Sequence, residues 1–314
     1  MGRRCLKSWL LRPLSNSDAI QARHASVGAL MRSSKRLDQL RDRLKGVLDL
    51  ERLSTQLKYN RSNARDLLAT ANAIERFPAI QRLCQETEDG LLNHLVKDLH
   101  LLADVAEDIH RTLLDNPSLG LRDGGIIRPG VDEELDRYRN ASNEGHSWFS
   151  NLESSLRSEL NIPSLKVRMN RQIGWFIEVT ATHADKVPEE WTRKQQMTNG
   201  NRYVTEELRQ QDDLLLTSES KSKGIEYTLF CSLRERVRKH ANHLAQIASK
   251  IAAIDVLQCF ASTARQRSWV KPVLTTGRSM KLQQARHPVL EAQQGFVPND
   301  VSMDEKRHFL LITG

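Results

Sequence analysis

From Ile225 to Val270 the chain contains neither glycine nor proline. Along that run Phe230, Leu233, Val237, His240, Leu244, Ile247, Ile251 and Ile254 alternate at spacings of three and four. Apolar residues at that interval make one stripe on an α-helix, and the stripe lasts about four heptads, as in a coiled coil. A helix of about 44 residues would reach roughly 65 Å at 1.5 Å per residue. That is too long for a small compact domain, so the helix must leave the body and find a partner along its stripe. The partner expected is the helix around 132–160, packed antiparallel. His240 falls on the stripe and reads as a packed, hydrogen-bonded histidine rather than as a functional group.

The partner segment opens on Asp132-Glu133-Glu134, the acidic first turn that a helix dipole favours, and continues through Leu135, Tyr138, Phe149, Leu152 and Leu156 to Ile162-Pro163. Before it, Gly120 to Gly130, with Gly124-Gly125 and Pro129-Gly130, is the first clear loop. Residues 1–120 read as consecutive helices. Ser17-Asp18 suits an N-cap, and Val27, Leu30, Leu37, Leu40, Leu44 and Val47-Leu48 keep helical spacing. Further helices are expected at about 64–77 and 91–114, with Pro78 and Asn116-Pro117 as breakers.

Between the two long helical regions the pattern changes. Lys166-Val167-Arg168-Met169 and Trp175 to Thr180 are β-rich runs, separated by Arg171-Gln172-Ile173-Gly174. This predicts a hairpin in which Gly174 takes a positive φ, within a small β insertion lasting to Tyr203-Val204. Two helical arms around such an insertion suggest an antiparallel pair carrying a tip domain. Near the end, Arg307 to Gly314 reads as a strand entering a glycine turn.

Composition narrows the class. Lys and Arg number 47 against 39 Asp and Glu, a formal charge of +8, which is compatible with nucleic acid or an anionic membrane surface. The four cysteines are scattered, so neither a zinc site nor a disulfide framework is indicated and a reducing cytosol is the natural compartment. No apolar run approaches the roughly 20 residues of a membrane span. No Ser-His-Asp arrangement or H-E-x-x-H motif offers another chemistry.

The segment from Leu165 to Leu208 resembles the clamp region of the MutS family. The resemblance rests on Leu165-Lys166-Val167, Asn170, Gly174-Trp175-Phe176-Ile177-Glu178-Val179, Arg193-Lys194-Gln195, Asn199 and Arg202-Tyr203-Val204-Thr205. Other landmarks follow in order. Arg4 and Leu6 to Pro13 resemble the opening of the core domain. Asp49-Leu50-Glu51-Arg52-Leu53 resembles the family's D-L-E-R-L. Asn63-Ala64-Arg65-Asp66-Leu67 resembles N-P-R-D-L, with Ala64 for proline. Arg128-Pro129-Gly130-Val131-Asp132-Glu133-Glu134-Leu135-Asp136, Ala285-Arg286-His287-Pro288-Val289-Leu290-Glu291 and Phe296-Val297-Pro298-Asn299-Asp300 are family-like as well. The likeness spans essentially the whole chain.

That resemblance implies a mainly α fold: a multi-helix core, long antiparallel lever helices, a small β-rich clamp insertion and the first strands of an α/β ATPase domain. It divides the chain into a helical core with the first lever (1–160), the clamp (161–205), the returning lever (206–268) and the start of a P-loop ATPase domain (269–314). The parent is expected to be a DNA-dependent ATPase using ATP and Mg²⁺, a homodimer with a MutL-type partner, cytoplasmic and nucleoid-associated. Gly314 matches the first glycine of the phosphate loop. The loop's Lys and Ser/Thr and the Walker B acid would lie beyond it, with mismatch-reading and connector domains before residue 1. The chain itself is therefore expected to be catalytically silent. Nucleotide contacts are expected at Phe296, Val297 and Gly314, with Phe296 stacking on adenine, whereas Arg286-His287-Pro288 reads as a strand-to-loop corner. DNA contacts are expected at Arg193, Lys194, Gln195, Asn199 and Arg202, on phosphates rather than bases. Thr198, often Lys in the family, and Gly200-Asn201, commonly Ala-Glu, depart from the pattern. The alternatives are a paralogue in recombination control and a stand-alone coiled-coil DNA-binding scaffold.

Overall fold

Side-chain oxygens decide where most helices of this chain begin. The structure, a computed structural model, describes residues 1–170, 172–292, 296–307 and 309–311. After α1 (Gly2–Leu11), α2 (Ser17–Met31) opens at Asn16, whose side chain accepts from the Ala19 N–H. Ser33 and Asp49 do the same for α3 (Ser34–Lys45) and α4 (Leu50–Lys58). At α5 (Ala64–Ile74) Asn63 and Asp66 form a reciprocal capping box. Two sequence expectations are adjusted here. The cap of α2 is Asn16, not Ser17-Asp18. The helical spacing beyond it runs over consecutive helices, as expected, with Ser33 capping the second. Pro78 starts α6 (Phe77–Gln85) as well as ending its predecessor, since a first turn has no use for the missing N–H. The helical stretch expected at 91–114 holds α7 (Gly90–Val96), capped by Asp89, and α8 (Ala103–Thr112).

Asp132 caps α9 (Glu133–Glu159) at the Leu135 N–H, as its acidic first turn suggests. Beyond α9 a four-stranded antiparallel sheet has the order β1-β2-β4-β3, from β1 (Lys166–Asn170), β2 (Gly174–Thr180), β3 (Thr192–Met197) and β4 (Gly200–Val204). The expected hairpin joins β1 to β2, with Asn170 opposite Gly174 and Gly174 at φ 79°. Thr205 then caps α10 (Glu206–Arg238), which is followed by α11 (Ala241–Arg267).

The apolar stripe does not stay on one helix. It breaks at Lys239-His240 between α10 and α11. Phe230, Leu233 and Val237 on one side and Leu244, Ile247, Ile251 and Ile254 on the other are all buried, so the periodicity survives the break and marks core rather than coiled coil. His240 is exposed at the corner, not packed. The partners also differ from expectation. α9 lies antiparallel to α10 alone, with His146 facing Glu219 at 3.1 Å and Arg139 facing Glu226 at 2.8 Å. α11 turns back into the body and packs on α1, α2, α3, α4 and α7. Its apolar window has a mean hydropathy of 1.4, long and apolar enough by composition to cross a membrane; 56 % of that window is buried inside the helical body.

Two hydrophobic cores result. The larger joins α2 to α8, the base of α10 and α11; the smaller joins the sheet to Phe149 of α9 and to Leu208 and Leu215 of α10. After α11 comes an antiparallel pair, β5 (Met280–Ala285) with β6 (Asn299–Met303). Arg286 donates to the carbonyls of Arg267 and Ser268 and so fastens this hairpin to the end of α11, which is the corner role read from its motif. Of the strand expected at 307–314, residues 309–311 show none: Phe309 and Leu311 are exposed and have no ladder partner among the described residues. Gly314 and its expected nucleotide contact lie outside the described residues.

Candidate nucleic-acid interface

Alternation along four paired strands gives the sheet two faces. One carries Val167, Ile177, Val179 and Tyr203 and closes on the lever helices, where Phe149 stacks on Trp175 with ring centroids 4.0 Å apart and planes at 3°. The other carries one cross-strand row from edge to edge: Lys166 opposite Glu178, Glu178 opposite Arg202, Arg202 opposite Gln195.

The two edges of the sheet are treated differently. At β1 the Val167 N–H donates to Glu153 on α9 (2.8 Å), and the Leu165 carbonyl just before the strand accepts from Arg157 (2.7 Å). Arg157 also pairs with Glu153 at 2.7 Å, so a charged clip on α9 closes that edge. The β3 edge is open. All six of its residues are exposed, and a bulge between Arg193 and Gln195 leaves Lys194 without a residue opposite it. A bulge and adjacent cations discourage another strand from adding to such an edge.

Of the five residues selected from the sequence, Arg193, Lys194 and Gln195 thus stand together on the open edge strand, and Asn199 lies in the exposed two-residue turn from β3 to β4. Arg202 is placed otherwise. Its side chain is only 17 % exposed and its guanidinium lies 4.5 Å over the Phe176 ring. It donates to Gln195 at 2.9 Å and approaches Glu178 at 3.7 Å. Arg202 thus reaches from the Phe176 ring to the Gln195 side chain. Thr198 is exposed beside Asn199, where a lysine would stand free.

At the other end of the chain Phe296 is half-buried and Val297 is 70 % exposed, just before β6. Among the described residues no group of three or more His, Cys, Asp or Glu is placed to hold a metal ion.

The residue that sequence reading missed is Glu226. It is 3 % exposed in the middle of α10 and takes hydrogen bonds from the backbone N–H groups of Gly125, Ile126 and Ile127 and from Arg139. Burial pushes its carboxyl up, but those backbone donors and the Arg139 guanidinium outweigh it and hold the group below its ordinary value. The signal was available: Glu226 lies four residues before Phe230, where the same stripe continues backwards along the helix.

Fold and site together define a class: a helical body from which a two-helix lever carries a small sheet with one open, cationic edge. The chain belongs to the MutS family. The family profile described as MutS domain III matches residues 1–261. Over its whole length the chain is 40 % identical to the DNA mismatch repair protein MutS of Lactobacillus johnsonii, and 38 % identical to the proteins of that name from Geobacillus sp. strain WCH70 and Geobacillus thermodenitrificans. It spans 37 %, 37 % and 35 % of the length of those three relatives.

Proposed function

We propose that this chain is the lever-and-clamp portion of a MutS-type mismatch-repair protein and that its sheet holds duplex DNA by the phosphate backbone. The observation that carries the reading is the open β3 edge, where Arg193 and Lys194 stand exposed with no ion-pair partner among the described residues, in a chain of this family. Unpaired cations with amide side chains between them suit phosphates, whose contacts position a protein without reading sequence. In this reading Arg193, Lys194, Gln195 and Asn199 meet DNA, and Arg202 contributes by orienting Gln195. Binding is weak and salt-sensitive, in the range of non-specific binders, roughly 10⁻⁴ to 10⁻⁶ M at physiological salt.

The division into core with first lever, clamp, returning lever and start of an ATPase domain is retained as part of the proposal, with the returning lever shortened to α10, because α11 belongs to the body. The whole protein would act as a homodimer with a MutL-type partner in the cytoplasm and couple ATP and Mg²⁺ to clamp closure. Toward the nucleotide this chain offers Phe296, whose half-buried ring suits stacking on a purine, and the exposed Val297.

Lysine acetylation with and without duplex DNA tests the reading. Lys194 should be protected at low salt and exposed again at high salt, while Lys58 on the helical body reacts equally in both. Protection of Lys58 with none at Lys194 would overturn it.

A further inference from the structure

The positive charge of the sheet is not confined to the β3 edge. Lys166 and Arg168 lie on β1 at the opposite margin; both are exposed, and neither has an ion-pair partner among the described residues. Alternation puts them on the face turned away from the lever, Lys166 at the end of the row that runs through Glu178 and Arg202 to Gln195. The middle of that row is different in character. Glu178 and Arg202 lie 3.7 Å apart, and Arg202 is drawn down over Phe176, so the centre holds a carboxylate and a guanidinium that is already engaged. A phosphate over the centre would meet Glu178; one at the β1 margin would meet Lys166 and Arg168, and one at the β3 edge the exposed bulge residue Lys194, Arg193 lying opposite Tyr203.

Scale decides what could lie across such a surface. Three strand spacings separate β1 from β3, roughly 14 Å at about 4.8 Å each. The major groove of B-DNA is about 12 Å wide. At the β1 edge the Val167 N–H and the Leu165 carbonyl are taken by Glu153 and Arg157, and Lys166 and Arg168 are its exposed cations.

We infer that Lys166 and Arg168 form a second line of phosphate contact, and that the sheet straddles one groove of a duplex with β1 on one backbone and β3 on the other. The inference rests on the proposed DNA-binding role of the sheet and adds to it a requirement for two strands. A single strand offers one line of phosphates and can satisfy only one margin.

The experiment is a fluorescence-anisotropy titration of the full 314-residue chain over a salt series, with a labelled homoduplex and with one of its strands alone. For duplex, K166Q/R168Q should flatten the dependence of log affinity on log salt by about 1.8, at about 0.9 for each phosphate that is no longer neutralised. For the single strand it should leave the dependence unchanged, and K166R/R168K should behave as wild type on both. If K166Q/R168Q leaves the duplex slope unchanged while R193A/K194A lowers it, the second line is refuted and the clamp reading stands. If neither pair of substitutions changes the slope, the clamp reading itself fails. Equal reductions on duplex and single strand would refute the two-backbone geometry. A reduced slope in K166R/R168K would place the effect in packing and overturn the inference.

Discussion

Glu226 on α10 and Arg139 on α9 meet at 2.8 Å at the root of the lever. The other Glu226 oxygen holds the Ile126 N–H at 2.6 Å and the Ile127 N–H at 3.2 Å, and Arg139 donates as well to the Ile127 carbonyl at 2.7 Å. Two long helices and the loop before α9 are thereby fixed at one buried carboxylate. Farther out the helices meet through His146 and Glu219 at 3.1 Å, and Gly145 lies against the Leu215 side chain. Glu226 ties the two helices near the body, and the Phe149–Trp175 stack ties α9 to the sheet.

Replacing Glu226 by alanine should cost about 3–5 kcal/mol, because Arg139 and three backbone N–H groups lose a buried partner. Chemical denaturation of variant and wild type measures it. Gln should restore little, since its amide NH₂ would face donors. The sign with pH follows from the carboxyl being held below its ordinary value of 4.5. The stability Glu226 contributes is present above the unfolded-state value and is lost as pH falls through the lower folded one. Between neutral pH and pH 3, wild type should therefore lose more stability than Glu226→Ala; parallel curves would contradict this.

Phe149→Ala should cost about 3–5 kcal/mol, and it should act locally. The ring is buried and stacks on Trp175 at the only aromatic stack that joins α9 to the sheet among the described residues. Hydrogen exchange should accelerate over 166–204 while the helices at 34–85 keep their protection. Uniform acceleration across both regions would show that the sheet is not a separate cooperative unit.

Much of the body was legible because its motifs are fasteners. The D-L-E-R-L match places Asp49 as the cap of α4, and Arg4 beside it brings the Asp49 carboxyl down to about 2. The match at Asn63 to Leu67 is a capping box whose N1 position takes Ala64 as readily as proline. In the match at Arg128 to Asp136, Arg128 grips Asp115 and the His110 carbonyl, and Gly130, at φ 81°, donates to Asp136. The β1–β2 hairpin was equally plain, from alternation and Gly174. What was illegible depended on tertiary contacts. The spacing around His240 is the same whether the helix runs on or turns at Lys239, and only the body into which α11 folds decides between them. The difference between Arg193 and Arg202 is likewise invisible in sequence: both are arginines of one motif, yet register sends one to the open edge and the other over Phe176.

Thiol chemistry gives an independent check on the core. Cys84 is fully buried, and burial, with Asp89 nearby, pushes its thiol up to about 12. Cys259 is exposed. A thiol reagent at neutral pH should label Cys259 first and Cys84 only once denaturant unfolds the body, since the thiolate is the reactive form. Early labelling of Cys84 under native conditions, read by mass spectrometry, would contradict the packing described.

The central claim is that the open edge of the sheet is where this chain meets DNA. Its most direct test is an anisotropy titration of homoduplex and G·T heteroduplex at two salt concentrations, with wild type beside Arg193→Ala/Lys194→Ala. The account predicts weak binding that falls with salt, equal affinity for the two duplexes, and a salt slope lowered by about 1.8 in the double variant. Equal affinity follows because phosphate contacts do not read bases. Unchanged binding in the double variant, or a heteroduplex preference of about tenfold, which is the scale of a mismatch read directly, would contradict it.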